Sequence, residues 1–115
     1  MPERSSHLLL RDILDAITAI QRYTDGMNFE QFSADSKTRD AVLRNIQVIG
    51  EAAKRVPQAL KDKLPEVQWQ RIVRSRHIVV HDYFGVDYEI IWRIVEAHLP
   101  PLFDAISKIL SEYEE

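Results

Sequence analysis

The chain reads as an all-α protein, an up-and-down bundle of four main helices whose C-terminal helix is kinked or split. Three observations lead there. Apolar residues recur at three- and four-residue steps through several long segments. No stretch alternates with period two for long enough to propose a strand. Only three glycines occur in 115 residues, and repeats, linkers and low-complexity tracts are absent. One domain spanning residues 1–115, with room for one modest core, is the expectation at this length.

The first helix follows Arg4, with Ser5 or Ser6 as its N-cap, and carries Leu10, Ile13, Leu14, Ile17 and Ile20 on one face. It is expected to end near Tyr23-Thr24-Asp25, with Gly26 as terminator. The next residues, MNFEQFSAD, read as a loop whose two phenylalanines tuck back onto the core. A second long helix starts at Ser33 or Asp35, buries Ala41, Val42, Ile46, Ile49, Ala53 and Val56, and stops at Pro57. It contains Asn45, Gly50 and Glu51. A glycine inside a helix costs about 1 kcal/mol against alanine, so Gly50 is expected to admit the close approach of another backbone. Glu51 reads in two ways: as a solvated helix charge, which periodicity alone favours, or as a carboxylate facing an arginine or histidine of residues 74–87.

Residues 57–65, PQALKDKLP, read as a short helical turn, and Pro65 suits the first position of a third helix. That helix buries Trp69, Ile72, Val73 and Val80 and is expected to reach about Tyr83, where Phe84-Gly85 ends it. Asp87 caps a fourth helix with Ile90, Ile91, Ile94, Val95 and Leu99 as its apolar face. Pro100-Pro101 is expected to interrupt it before a last segment bearing Phe103, Ile106, Ile109 and Leu110.

Composition removes several chemistries. With no cysteine, disulfides, thiolate metal sites, cysteine nucleophiles and iron–sulfur clusters are excluded. Hydrophobic residues make up 45% and charged residues 29%, an ordinary globular balance. No apolar run approaches the roughly 20 residues needed to cross a bilayer. A cytoplasmic protein with no membrane partner is the expectation. The net charge of −3 argues against wrapping long nucleic acid, but it conceals an asymmetry. Residues 1–81 carry 13 Lys/Arg against 10 Asp/Glu, whereas residues 82–115 carry 2 against 8, and three arginines without an acid lie between Gln68 and His81. A local basic patch on an acidic molecule suits a small anionic site.

That patch lies in RSRHIVVHDYFGVD, residues 74–87, where Arg76 and His81 flank His77 and the apolar Ile78, Val79 and Val80. In a regular helix residues 76 and 81 lie about 140° apart and roughly 7.5 Å along the axis. Either the Arg76 stem curls back toward His81, or the two act beside groups of a second chain, which predicts a site at a dimer interface. His77 and His81 share a face and have a spacing that holds zinc, but Ile78 stands where an HExxH glutamate belongs, so no metal and no cofactor is assigned. His81 falls in the last helical turn, where unpaired carbonyls favour its charged form. A protonatable imidazole and a guanidinium suffice for RNA cleavage by internal transesterification: a base takes the 2′-hydroxyl proton, a cation stabilises the phosphorane, and an acid protonates the leaving oxygen.

The ordered set Arg76, His77, three apolar residues, His81 and Tyr83 resembles the Arg-x-x-x-x-His-x-Tyr signature of HepT-like proteins in the HEPN ribonuclease superfamily. The likeness extends through Ile49-Gly50-Glu51-Ala52-Ala53, Trp69, Tyr83-Phe84-Gly85-Val86-Asp87, Ile91-Trp92 and Leu99-Pro100-Pro101-Leu102. It implies a HEPN-like bundle acting as a metal-independent RNA endonuclease, the toxin of a toxin–antitoxin pair. The implied partner is a minimal nucleotidyltransferase antitoxin that uses ATP to adenylylate the signature tyrosine. The resemblance further implies a homodimer or higher oligomer with signature segments together, Arg76 and His81 catalytic, His77 an auxiliary polar residue and Tyr83 the modified one. Glu51 and Arg74 are supporting candidates. The competing reading is a non-catalytic helical scaffold or binding subunit of a nucleotidyltransferase complex, with a metal-dependent hydrolase as a distant third.

Overall fold

The computed structural model describes residues 4–81 and 85–113, with side chains for 4–76 and 85–112. The chain forms α1 (Ser6–Thr24), α2 (Phe29–Ala34), α3 (Ser36–Arg55), α4 (Gln58–Lys61), α5 (Trp69–His81), α6 (Tyr88–Arg93), a π-helical turn (Ile94–His98) and α7 (Leu99–Tyr113). There is no strand among the described residues. The long elements are α1, α3, α5 and the joined α6–π–α7 unit, so the expected all-α bundle of four main helices with a split last member is what forms. Helix α3 packs against both α1 and α5, while α7 lies against α1.

Local chemistry explains most boundaries. Ser5 caps α1, its Oγ accepting from the Leu8 N–H at 3.2 Å. Gly26, at φ +76°, follows the end of α1 in the left-handed region that glycine enters without steric cost. The segment expected as a loop holds a six-residue helix instead. Asn28 Oδ1 accepts from the Gln31 N–H at 2.8 Å and Gln31 Oε1 accepts from the Asn28 N–H at 2.9 Å, a reciprocal pair that satisfies two otherwise orphaned donors. Its aromatics do tuck inward, and Phe32 is fully buried. Asp35 then serves two helices: its N–H donates to the Phe32 carbonyl and its carboxylate accepts from the Thr38 N–H at 3.1 Å.

Helix α5 begins at Trp69, four residues later than Pro65 suggested, because residues 65–67 turn before the helix is entered. The expected end near Tyr83 and Phe84 falls outside the described residues. Asp87 caps α6 by accepting from the Glu89 N–H at 2.9 Å. The interruption expected at Pro100-Pro101 falls just before them, in the π turn, and both prolines lie within the helix that continues as α7. The preceding π turn makes room for them, with the Leu99 N–H reaching five residues back to the Ile94 carbonyl.

The core combines Leu10, Ile13, Ile17 and Ile20 of α1, Val42, Ile46 and Ile49 of α3, Ile91 and Trp92 of α6, and Leu102, Ile106 and Leu110 of α7. Ile90, expected on the apolar face of α6, is exposed, while Trp92 is buried against Phe32 with ring centroids 5.0 Å apart. Among the described residues no helix is long and apolar enough to cross a membrane.

Candidate active site

The crossing of α3 and α5 is built around a missing side chain. A Cβ placed on Gly50 meets the Arg76 Cβ at 2.9 Å and the Ile72 carbonyl oxygen at 3.4 Å. Nothing larger than hydrogen fits there without a shift of one helix, so the close approach expected of Gly50 is real. The residue that approaches is Arg76.

The next residue of α3 completes the contact. Arg76 Nη1 donates to Glu51 Oε1 at 2.5 Å, an ion pair across the helix crossing. The Arg76 side chain is 22% exposed and that of Glu51 50%, so the pair sits at the protein surface with the guanidinium as its more enclosed half. Glu51 thus faces an arginine of α5, as the second of its two readings expected, while its carboxylate stays half exposed to solvent. Arg76 Nε is buried and has no hydrogen-bond partner among the described residues. Ser75 is tied back within α5, its Oγ donating to the Ile72 carbonyl at 2.5 Å.

Helix α5 runs without a break from Trp69 to His81, so the angular offset of residues 76 and 81 in a regular helix applies. Of the two alternatives for Arg76, curling back along α5 is not the conformation adopted; the stem runs across to Glu51 on α3. His77 and His81 belong to α5 by backbone, but their side chains, and Tyr83 altogether, lie outside the described residues. Their assignments rest on the sequence alone, as does the zinc spacing of the histidines.

Arg74 is exposed and, two residues from Arg76, lies about 200° around the helix from it. It lines an open concavity of about 1000 Å³ between α5 and the α3–α4 corner, shared with Lys54, Lys61, Arg71 and Trp69. The arginines of this concavity were visible in the sequence as an acid-free run, but Lys54 and Lys61 were not connected with them. A signal for Lys54 existed: four residues after Gly50, it occupies the same face of α3 one turn on.

The family model described as ribonuclease HepT-like matches residues 13–109. A Methanocaldococcus jannaschii protein named as a candidate RNase is 40% identical over 114 residues, covering 99% of this chain and 94% of that protein. A protein of Thermococcus cleftensis named "probable ribonuclease HepT" is 38% identical over 107 residues, covering 93% and 97%. A second candidate RNase of Methanocaldococcus jannaschii is 33% identical over 115 residues, covering 100% and 99%. No solved structure matches the chain.

Proposed function

The chain belongs to the HepT-like ribonuclease family, and from that premise we propose that it is a metal-independent RNA endonuclease whose catalytic pair is Arg76 and His81. The observation that carries the assignment of Arg76 is the Gly50–Glu51 seat. A surface arginine with no task would be free to follow solvent; this one is admitted by a glycine and fixed by a carboxylate. One N–H of its guanidinium engages Glu51, which leaves further donors for a phosphate oxygen.

In the proposed reaction an RNA 2′-hydroxyl attacks the adjacent phosphorus while His81 moves the proton. Arg76 stabilises the dianionic phosphorane, and the 5′-oxygen leaves with a proton, producing a 2′,3′-cyclic phosphate. Because residues 76 and 81 diverge on one helix, the pair is completed across a homodimer in which two α5 segments face each other. His77 is the auxiliary polar group. Tyr83, two residues past His81, is the position at which an ATP-using nucleotidyltransferase antitoxin adds AMP; the added anion would repel and obstruct RNA beside the histidine.

The test is direct. The unmodified protein in EDTA is expected to cut RNA and leave 2′,3′-cyclic ends, and Arg76→Ala and His81→Ala each to remove at least 99% or so of the rate. Cleavage that survives both substitutions would sink the assignment. The Arg76–Glu51 pair also supports a second reading, in which Arg76 is only a helix-crossing strut in a scaffold subunit. On that reading the wild type cuts no RNA, and Arg76→Ala weakens assembly with the nucleotidyltransferase.

A further inference from the structure

The concavity between α5 and the α3–α4 corner holds four cations and one acid. Lys54 comes from α3, Lys61 from α4, and Arg71 and Arg74 from α5. The acid, Asp62, is already engaged, accepting from Gln58 Nε2 at 2.8 Å. Lys54, Arg71 and Arg74 make no ion pair among the described residues, and Lys61 lies over the Trp69 ring at 5.8 Å. Trp69 lines the same hollow; its buried indole N–H has no acceptor among the described residues. Four exposed or half-exposed cations against the single carboxylate of Asp62 leave the hollow with a net positive charge, which opposes folding through mutual repulsion. An anionic ligand spread over the hollow would offset that cost.

Position relative to the candidate catalytic residues decides which ligand. Lys54 is one helical turn from Gly50, so one wall of the hollow abuts the crossing that seats Arg76. Residues 74 and 81 are seven apart on α5, which by register puts them on one face, roughly 10.5 Å apart along the axis. A strand lying in the hollow and continuing along that face arrives at position 81. An extended chain of phosphodiesters fits this layout, with cations on three elements spaced along it and an open rather than enclosed shape.

We propose that Lys54, Lys61, Arg71 and Arg74 form a backbone-binding subsite for single-stranded RNA, holding nucleotides that flank the bond cut at Arg76 and His81. The choice of RNA rests on the ribonuclease reading above; the subsite itself rests on the charge and the shape. Because the contacts are to phosphates, they add affinity and direction of entry without base preference.

The test uses the full chain and a fluorescent, 2′-O-methylated single-stranded oligoribonucleotide, which lacks the attacking hydroxyl and stays intact. Binding is followed by anisotropy over a range of salt. Lys54→Gln with Lys61→Gln, and separately Arg71→Gln with Arg74→Gln, are each expected to weaken binding about fivefold or more. Each pair should also flatten the slope of log affinity against log salt by about 1.4, two single-strand phosphate contacts. Lys37→Gln with Lys108→Gln, on exposed positions elsewhere, should change neither. Should the lysine pair melt early, the arginine pair carries the test, since both arginines are exposed. Unaltered affinity and slope in the concavity variants overturn the subsite and leave the cleavage assay to stand. Loss of polyglutamate binding with RNA binding intact also overturns it, in favour of an acidic protein partner. If the wild type cuts nothing yet binds RNA through these cations, the subsite stands and the ribonuclease reading falls.

Discussion

Two of the helices packed on α3 meet it in different ways. Toward the core, in company with α1, it contributes Val42, Ile46 and Ile49, all buried to within a few percent, among the equally buried Ile13, Ile17 and Ile20. Toward α5 it offers Gly50 and Glu51, an absent side chain and a half-exposed carboxylate. The first contact removes large aliphatic surface from water and supplies stability. The second, where Trp69 and Ile72 of α5 also pack against the core, sets the distance between two backbones and the direction of one guanidinium. The α1–α3 contact thus mainly holds the fold together and the Gly50–Glu51 contact mainly holds the candidate site in place, and mutations at the two contacts should fail differently.

The largest effect on stability is expected from the core side. Ile17→Ala leaves a cavity in a fully buried position and should cost about 2–5 kcal/mol, lowering the melting temperature by roughly 8 °C or more. Cleavage per folded molecule at low temperature should stay near wild type. A selective loss of activity without a lower melting point would erase the distinction. Next comes Gly50→Ala. Alanine gains up to about 1 kcal/mol of helix propensity, but its methyl would sit against the Arg76 Cβ, an overpacking that costs about 1–3 kcal/mol. A modest net loss in the melting temperature should accompany a clear drop in cleavage rate, because the displaced group is Arg76. A more stable and fully active variant would show that the crossing yields easily.

Glu51→Gln sharpens the comparison from the other direction. With the carboxylate half exposed, its removal should alter stability by less than about 1 kcal/mol. The cleavage rate should nevertheless fall about tenfold with KM nearly unchanged, the pattern of a lost positioning contact. Equal losses in stability and rate would instead mark Glu51 as a simple structural partner.

The smallest effect belongs to Asp35. Its carboxyl is held below the usual range chiefly by the hydrogen bond from the Thr38 N–H. A carboxyl depressed in the folded chain contributes stability above its unfolded value, near 3.9, and loses it as pH falls through the lower folded value. Thermal melts of Asp35→Asn between pH 5 and pH 2 should therefore decline slightly less than those of the wild type.

How much of this was legible in sequence follows from the range of the interactions. The stripes of α1 and α3 were readable because burial repeats every turn, and Gly50 was readable as a close approach because a helical glycine requires a reason. Its neighbour was not, since no periodicity relates residue 50 to residue 76. Helix α2 was obscured by its turn-forming residues, although Asn28 and Gln31 already carried the spacing of a capping box. In the C-terminal unit, Ile91, Val95 and Leu99 are buried at successive steps of four, a spacing that an ordinary helix also shows, as Leu102, Ile106 and Leu110 do within α7. The sequence therefore carried no separate mark of the π turn; Pro100-Pro101 placed the interruption of this unit at the prolines, whereas it lies just before them, at Ile94–His98. The offset of residues 76 and 81 needed only helical geometry, so the expectation of a second copy at the site survives as a proposal rather than as an observation.

The ion pair of Glu51 and Arg76 has a thermal consequence. Arginine carries up to about 2 kcal/mol of rotamer entropy, and in this chain part of that is surrendered when the bundle folds. RNA arriving at Arg76 then meets a side chain with less freedom left to lose, so association should show a smaller entropic penalty than in Glu51→Gln, where the stem is released. Calorimetric titration of the two proteins with an uncleavable RNA would express this seat as a difference in binding entropy.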